Sequence, residues 1–249
     1  MEKISVVVPV YNSRKTLEVL CYRLKETFKR LSLEYEIILV DDGSKDNSFS
    51  KMMEIHSKDP EVKIIQLKRN FGQQNALMCG LHYVTGTYAV IMDDDLQNPP
   101  EEIIKLWSKI REGYDIVYGL PPLNIKKEQG YRYWGGILRD LLFNLMINKP
   151  PQIKVSTFRI VHRDLVNKII KDQTSFVYIS AIIFKHKVKA ANIEVEHHKR
   201  EVGRSNYSML QLAQLYLKIL LNYGPVFFKF ARTSRPQYEI AQIQGKGLL

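Results

Sequence analysis

Three consecutive aspartates, Asp93, Asp94 and Asp95, follow an apolar run over residues 88–92. Carboxylates crowded at the end of an apolar strand repel one another, and a bound cation is the usual compensation. Asp93 and Asp95 can face one ion while Asp94 points elsewhere, and Gln97 offers a third oxygen. Hard cations such as Mg²⁺ and Mn²⁺ prefer oxygen ligands and often bind substrate phosphates as well. The loop therefore predicts a Mg²⁺ or Mn²⁺ site with Asp93, Asp95 and Gln97 as ligands, where the ion stabilises a leaving diphosphate.

The alternative interpretation of this loop is an acidic turn that caps the following helix. Pro99-Pro100 is typical of a helix start, and Glu101-Glu102 suits the positive end of that helix. A strand before the loop and this helix start after it favour the cation site.

A second acidic stretch, Asp41-Asp42-Gly43-Ser44, follows another apolar run. An acid at the end of a strand can accept hydrogen bonds from a nucleobase N–H or from ribose hydroxyls. Asp-Gly is also common in ordinary turns, so the stretch is weak evidence by itself. It becomes more specific beside Pro9-Val10-Tyr11-Asn12, which ends the first predicted strand.

The elements that must position these loops alternate between strand and helix patterns. Apolar runs predict strands over residues 4–10, 35–40, 62–67, 88–92 and 114–118, and helical spacing predicts helices over 16–31, 47–56, 73–84 and about 99–111. Such alternation is typical of a mostly parallel, doubly wound α/β sheet, in which ligands bind beyond the carboxyl ends of the strands. Both acidic loops occupy such ends and therefore belong to one site.

The second half is less regular. We predict helices over 131–147 and 164–171 and strands over 158–161 and 190–196, while the apolar run 176–184 fits a helix or a strand. A basic loop, His197 to Arg200, follows the last strand. A leucine-rich segment then covers residues 208–230, and the remaining residues form a polar tail.

Composition narrows the class of partner. The chain of 249 residues has 45% hydrophobic residues, which suits a globular protein with a real core. Its formal net charge of +11 favours an anionic partner, either a phosphorylated substrate, an anionic membrane surface or nucleic acid. Two cysteines, Cys21 and Cys79, fit a reducing cytosol, and the early first strand leaves no room for a signal peptide.

Four stretches together resemble family 2 glycosyltransferases of the GT-A fold. They are Pro9 with Tyr11 and Asn12, residues 40–44, residues 69–76, and residues 92–101 with their Asp-x-Asp-x-Gln-x-Pro-Pro-Glu string. The resemblance covers roughly residues 1–230, and its nearest subgroup is the polyprenyl-phosphate and dolichyl-phosphate glycosyltransferases. The transmembrane helices that follow in many of those relatives are missing here. The resemblance implies an inverting, metal-dependent transfer of a sugar from a nucleotide diphosphate, with a UDP-sugar favoured.

The resemblance also assigns roles to residues. Asp93, Asp95 and Arg200 would be catalytic, and the donor nucleotide would be bound by Pro9, Tyr11, Asn12, Asp41, Asp42, Gly72, Gln73, Asp94, Arg200 and Ser205. Residues 200–207 are similar to the family's Arg-x-x-Gly-x-Ser-x-Tyr loop, which closes over the donor diphosphate, and the alternative is a solvated basic loop.

Arg132 and Arg139 would hold an acceptor phosphate, although arginines on an ordinary amphipathic helix are the competing interpretation. Thr157-Phe158-Arg159 is similar to the family's Phe-Arg-Leu segment, but residues 154–157 replace the acid and glycine often found before it.

The resemblance implies a domain over residues 1–207, with a nucleotide-sugar half (1–120) and an acceptor half (121–207), followed by an amphipathic segment and polar tail (208–249). The amphipathic segment could lie in a membrane interface, or it could be a core or dimer-contact helix. We expect a cytoplasmic protein, peripheral on the inner face of the membrane. A homo-oligomer or a membrane-anchored partner is compatible with this segment.

The acceptor is predicted from an absence in the sequence. Enzymes of this family that use a sugar hydroxyl need a base, usually in a Glu-Asp or similar pair, and no such pair occurs between residues 150 and 190. A lipid phosphate is already a nucleophile at neutral pH, because its second pKa is about 6. We therefore predict a polyprenyl phosphate acceptor in cell-envelope glycan synthesis. One alternative is an enzyme that extends a surface polysaccharide or lipopolysaccharide through a sugar hydroxyl. Another is a nucleic-acid binder, but the sequence contains no recognised nucleic-acid-binding motif. A third is an inactive partner subunit.

Overall fold

The computed structural model describes residues 2–122, 149–174, 176–198, 214, 218, 221–223 and 238–247. The strands are β1 (Lys3–Val10), β2 (Glu34–Asp41), β3 (Val62–Leu67), β4 (Tyr88–Ile91), β5 (Ile116–Leu120), β6 (Arg159–His162), β7 (Ala190–Glu194) and β8 (Ile240–Gln244). The helices are α1 (Leu17–Leu31), α2 (Ser48–Lys58), α3 (Gln73–His82), α4 (Ile103–Ile110), α5 (Arg163–Ile170) and α6 (Ile179–Phe184), and a short 3₁₀ helix at Pro100–Glu102 precedes α4.

One sheet of eight strands carries the fold, in the order β7-β5-β6-β4-β1-β2-β3-β8. The pairs β1–β2, β1–β4, β2–β3 and β5–β7 are parallel. β6 is antiparallel to both β4 and β5, and β8 is antiparallel to β3. The sheet is thus mostly parallel, as predicted, and its parallel centre brings the ends of β1, β2 and β4 to one edge.

Helices cover both faces of this sheet. Alternate residues of the central strands, such as Val6 and Val7, enter different cores: one core packs under α1, α2 and α4, and the other under α3, α5 and α6. Strands buried on both faces must be apolar at nearly every position, which is why they are easy to identify in the sequence.

Two of the differences between predicted and observed element boundaries have clear local reasons. The strand predicted from residue 114 begins at Ile116, because the backbone N–H of Tyr114 still bonds to the carbonyl of Ile110 after α4. The ambiguous run 176–184 forms a helix only from Ile179, where the preceding Tyr178 is extended.

Strand β8 was not predicted, because it comes from the supposedly polar tail. It pairs with the edge strand β3, and the Lys68 N–H donates to the Glu239 carbonyl at 2.9 Å. Ile240 and Ile243 pack against the core, whereas Ala241 and Gln242 are exposed, so no residue of β8 is fully buried. The polar tail thus contains a strand that the sequence pattern did not indicate.

The leucine-rich segment contacts the domain through its described residues. The Tyr223 hydroxyl donates to the carbonyl of Phe176 at 2.5 Å and accepts from the N–H of Tyr178 at 3.2 Å. The Lys218 ammonium lies 5.8 Å from the centroid of the Phe176 ring, while Leu221 is exposed. Within the described ranges, no helix has the length and apolar character needed to cross a bilayer.

At the edge of the sheet opposite the carboxyl ends of the strands, a buried carboxylate on β2 binds side chains from β1 and β3. Glu36 is fully buried on β2, with the ammonium groups of Lys63 and Lys3 at 2.9 and 3.0 Å. Ser5 donates to the Glu36 carboxylate as well, as do the backbone and hydroxyl of Thr85. Burial alone would raise the pKa of Glu36, but these hydrogen bonds outweigh it and lower the pKa to about 2.

We expect Glu36→Gln to lower the free energy of unfolding by about 3–5 kcal/mol at pH 7, because it leaves the buried Lys63 ammonium without its counter-charge. The pKa of Glu36 is lower in the folded chain than in the unfolded chain, where it is about 4.3. The stabilisation is therefore complete above that value and is lost as the pH falls towards about 2. Urea unfolding at pH 7 and pH 3 measures both effects. Glu34→Gln, at an exposed position of the same strand, is the control, and equal stability of the two variants would contradict the prediction.

Candidate active site

The predicted site loops meet at the carboxyl edge of the sheet. Val10, the last residue of β1, is in register with Asp41, the last residue of β2, and the Asp42 N–H donates to the Val10 carbonyl at 2.8 Å. The Tyr11 N–H donates to the Asp94 carboxylate at 3.3 Å. These contacts place the ends of β1, β2 and β4 around one cleft.

Both oxygens of Asp93 accept hydrogen bonds in the carboxylate loop. Gln73 Nε2 lies 2.6 Å from Oδ1, and Thr157 Oγ1 lies 2.8 Å from Oδ2. Asp95 Oδ1 accepts from the Gln97 N–H at 3.2 Å, which closes a tight turn. Leu96, inside that turn, has a φ of 59°, in the left-handed region that leucine rarely adopts.

Asp94 binds the loop after β1. Its carboxylate accepts from the Tyr11 N–H and lies between Asp93 and Asp95 in sequence. Burial raises the pKa of Asp94 to about 6, and the neighbouring carboxylates of Asp93 and Asp95 add to this rise, whereas hydrogen bonds from Ser13 and Tyr11 oppose it.

The donor set fits a hard divalent cation that is bound only in part by the protein. Asp93, Asp95 and Gln97 present carboxylate and amide oxygens from one turn. Among the described residues, no three His, Cys, Asp or Glu side chains converge to hold a metal. Two carboxylates and one amide would supply part of the shell of Mg²⁺, which usually keeps several waters and binds substrate phosphates as well.

Asp41 and Asp42, which end β2, have different surroundings. The Asp42 carboxylate accepts from the N–H groups of Phe71 and Gly72 at 2.7 and 2.9 Å, so it holds the loop before α3. Burial raises its pKa to about 6, although these two hydrogen bonds lower it. Asp41 Oδ1 accepts from the Ser44 N–H at 3.1 Å, while its Oδ2 is buried and has no hydrogen-bond partner within the part of the chain described. Burial is also what raises the pKa of Asp41.

Gly43 and Gly72 have backbone conformations that favour glycine, with φ values of 68° and 93°. A Cβ on Gly43 would lie 2.5 Å from the carbonyl carbon of Arg69. The turn after β2 therefore packs directly on the loop that leads to Gln73, and the two loops form one rigid corner.

Asn12 and Tyr11 complete the corner on the β1 side. Asn12 has a φ of 55°, and its side-chain oxygen accepts from the N–H groups of Lys45 and Asp46 at 2.8 and 3.3 Å. Tyr11 is 43% exposed, so its ring is available to a ligand. Pro9 is buried within β1, where it is in register with Val40, one residue before the Val10–Asp41 pair that ends the two strands.

The basic loop begins beside the carboxylate loop. The His198 N–H donates to the Gln97 carbonyl at 2.8 Å, and His197 Nδ1 lies 3.3 Å from Asn98 Oδ1. The Glu196 N–H donates to the carboxylate of Glu102 at 2.9 Å. The residues that lead into Arg200 are thus attached directly to the predicted cation loop.

Four predicted site residues, Arg132, Arg139, Arg200 and Ser205, lie outside the described residues, and their roles stay predictions. Sequence reasoning missed the contact of Thr157 with Asp93, because 64 positions separate the two residues. The available signal was the position of Thr157 directly before the Phe158-Arg159 segment, which resembles a family motif.

Comparisons of the sequence with known proteins show its family. The sequence profile of glycosyl transferase family 2 matches residues 5–170. The undecaprenyl-phosphate 4-deoxy-4-formamido-L-arabinose transferase of Proteus mirabilis is 36% identical over 228 residues, which are 88% of this chain and 67% of that protein.

Solved structures of sugar-transferring enzymes have the same fold. Glucosyl-3-phosphoglycerate synthase from Mycobacterium tuberculosis, in complex with Mn²⁺, UDP-glucose and phosphoglyceric acid, has a TM-score of 0.62 and 16% identity, over 98% of this chain and 89% of that one. Mannosyl-3-phosphoglycerate synthase from Rubrobacter xylanophilus has a TM-score of 0.62 and 15% identity, over 88% and 72% of the two chains. At 15–16% identity, these two comparisons show a shared fold and nothing about activity.

Proposed function

The chain belongs to glycosyl transferase family 2, and from that premise we propose that it transfers a sugar from a UDP-sugar to a polyprenyl phosphate. The observation that supports this most is the meeting of three features at one cleft. They are the Asp93–Gln97 turn, the ends of β1 and β2 with Tyr11 and Asp41, and the start of the basic loop at His198.

The donor would lie across the carboxyl edge of the sheet. The exposed Tyr11 ring suits a nucleobase, and Asp41 Oδ2, which accepts no hydrogen bond from the described residues, suits the N–H donor of that base. Asp42 would act indirectly, because its carboxylate holds the backbone of Phe71 and Gly72. The diphosphate would extend from this corner to the Asp93–Gln97 turn.

Asp93, Asp95 and Gln97 would hold Mg²⁺ or Mn²⁺, which supplies charge stabilisation to the leaving diphosphate. Gln73 keeps Asp93 oriented from one side of the cleft. Arg200, two residues after the anchored His198, would donate to the diphosphate, since a guanidinium fork matches phosphate geometry. These groups favour a negative charge that grows on the departing group.

The acceptor would be a lipid phosphate. One of its oxygens forms a bond to the anomeric carbon while the bond from that carbon to the donor diphosphate breaks, and attack from the opposite side inverts the configuration. No base is needed, because the acceptor phosphate is already ionised at neutral pH. The 36% identical relative, which is named for undecaprenyl phosphate, supports this class of acceptor.

The +11 charge and the leucine-rich segment suit a protein that is peripheral on the anionic inner face of a membrane. Cytoplasmic location and cell-envelope glycan synthesis remain part of this proposal.

The acceptor class can be tested with a panel of radiolabelled UDP-sugars, Mn²⁺ and undecaprenyl phosphate. We expect label from one donor to extract into organic solvent. Undecaprenol, which has a hydroxyl in place of the phosphate, is the matched control and should remain unlabelled. Label that stays off the lipid and appears on a polysaccharide acceptor would contradict the proposal and favour a sugar hydroxyl acceptor.

A further inference from the structure

We propose that Thr157 is a positioning residue that orients Asp93 for the cation, an inference that rests on the proposed function. Its Oγ1 lies 2.8 Å from Asp93 Oδ2, and 64 positions of sequence separate the two residues. Thr157 itself is not placed among the cation ligands. It acts through the carboxylate that it holds.

Among the described residues, two neutral groups donate to Asp93. Gln73 Nε2 donates to Oδ1 at 2.6 Å, and Thr157 donates to Oδ2. Together they fix the rotation of the carboxylate plane. Each carboxylate oxygen has two lone-pair positions, so a hydrogen bond to an oxygen does not by itself prevent that oxygen from binding an ion. A lysine or arginine in place of Thr157 would bring a positive charge that opposes the cation, whereas a hydroxyl leaves the negative charge of Asp93 in place.

The backbone around Thr157 is fixed on both sides. Phe158 is fully buried, and its carbonyl accepts from the Gly119 N–H at 2.9 Å. On the other side, the Asn192 side chain accepts from the Lys154 N–H at 2.9 Å and donates to the Lys154 carbonyl at 2.7 Å. The hydroxyl is therefore placed before any ligand arrives, which is what a partner of a metal-binding carboxylate requires.

The register of the sheet explains how Thr157 reaches the loop. β6 is antiparallel to β4, with Arg159 opposite Ile91, so the residues just before β6 lie beside those just after β4. Thr157 belongs to the predicted acceptor half of the chain, whereas Asp93 belongs to the predicted nucleotide half. The acceptor half thereby contributes to the affinity for the cation that holds the donor.

The test compares Thr157→Val and Thr157→Ser with the unchanged chain, using Mn²⁺ in the presence of UDP as the probe and electron paramagnetic resonance of free Mn²⁺ as the readout. Valine keeps the shape of threonine and lacks the hydroxyl. We expect Thr157→Val to bind Mn²⁺ about 10-fold more weakly or worse, the usual effect of losing an outer partner of a metal ligand. Thr157→Ser should restore most of the affinity. The control, Thr87→Val, changes an exposed threonine at the other edge of the sheet and should bind like the unchanged chain.

Thermal unfolding of each variant separates orientation from general damage. Unchanged Mn²⁺ affinity in Thr157→Val would overturn the inference, as would a serine variant that binds as weakly as the valine variant. If the unchanged chain binds Mn²⁺ equally with and without UDP, the proposed function fails and this inference with it. Failure of the inference alone shows only in the Thr157 variants, whereas failure of the proposed function shows already in the unchanged chain.

Discussion

Asp95→Asn is expected to lower the turnover number by about 10³-fold, which corresponds to roughly 4 kcal/mol of lost transition-state stabilisation. Asparagine keeps the size of the side chain but removes the negative charge that would bind the cation. The turn should survive, because an amide oxygen can still accept from the Gln97 N–H, as Asp95 Oδ1 does at 3.2 Å. Initial rates with saturating donor and Mn²⁺ measure the effect.

The matched control for this prediction is Asp164→Asn. The Asp164 side chain is 79% exposed, and it follows β6 at the opposite edge of the sheet. This variant should transfer sugar like the unchanged chain. An Asp95→Asn enzyme that retains more than about a tenth of the activity, a loss of less than about 1.4 kcal/mol, would argue against a cation at this turn.

Arg200→Ala is expected to lower the turnover number by about 10²–10³-fold, the usual effect of losing one donor to a developing negative charge. Nearby His198 is anchored to the Gln97 carbonyl at 2.8 Å, so the basic loop begins at the turn where the diphosphate is proposed to lie. Arg200→Lys should recover only part of the activity, because an ammonium cannot form the paired hydrogen bonds of a guanidinium. Rates at saturating donor and acceptor give this comparison.

Lys58→Ala, at an exposed position at the end of α2, controls for the loss of one positive charge from a chain with a net charge of +11. Equal losses in Arg200→Ala and Lys58→Ala would show that the effect is one of overall charge. A normal turnover number for Arg200→Ala would contradict the proposal that Arg200 donates to the diphosphate.

Much of the fold was predictable from the sequence. The family, the α/β GT-A fold and the class of enzyme are confirmed. Strands such as β1 and β2 are buried on both faces, and their continuous apolar runs are visible without a structure. By contrast, β8 is not fully buried at any position and contains two glutamines among its five residues, so its sequence does not differ visibly from a polar tail.

The candidate site was predictable only as a set of loops. Runs of aspartate at strand ends placed Asp41 and Asp93 at one edge, because parallel strands end together. Sequence alone could not show that Asp42 holds the backbone of Phe71 and Gly72, whereas one oxygen of Asp41 has no partner among the residues that the structure describes. Nor could it show Thr157 beside Asp93, since that contact depends on the antiparallel register of β6.

The most direct test of the central claim is calorimetric titration of UDP into the purified protein, with Mn²⁺ and then with excess EDTA. The claim is that the turn of Asp93, Asp95 and Gln97 binds a divalent ion together with the donor diphosphate. It predicts clear UDP binding with Mn²⁺ and loss of most of that affinity in EDTA. Equal affinity for UDP under both conditions, or no binding in either, would contradict it.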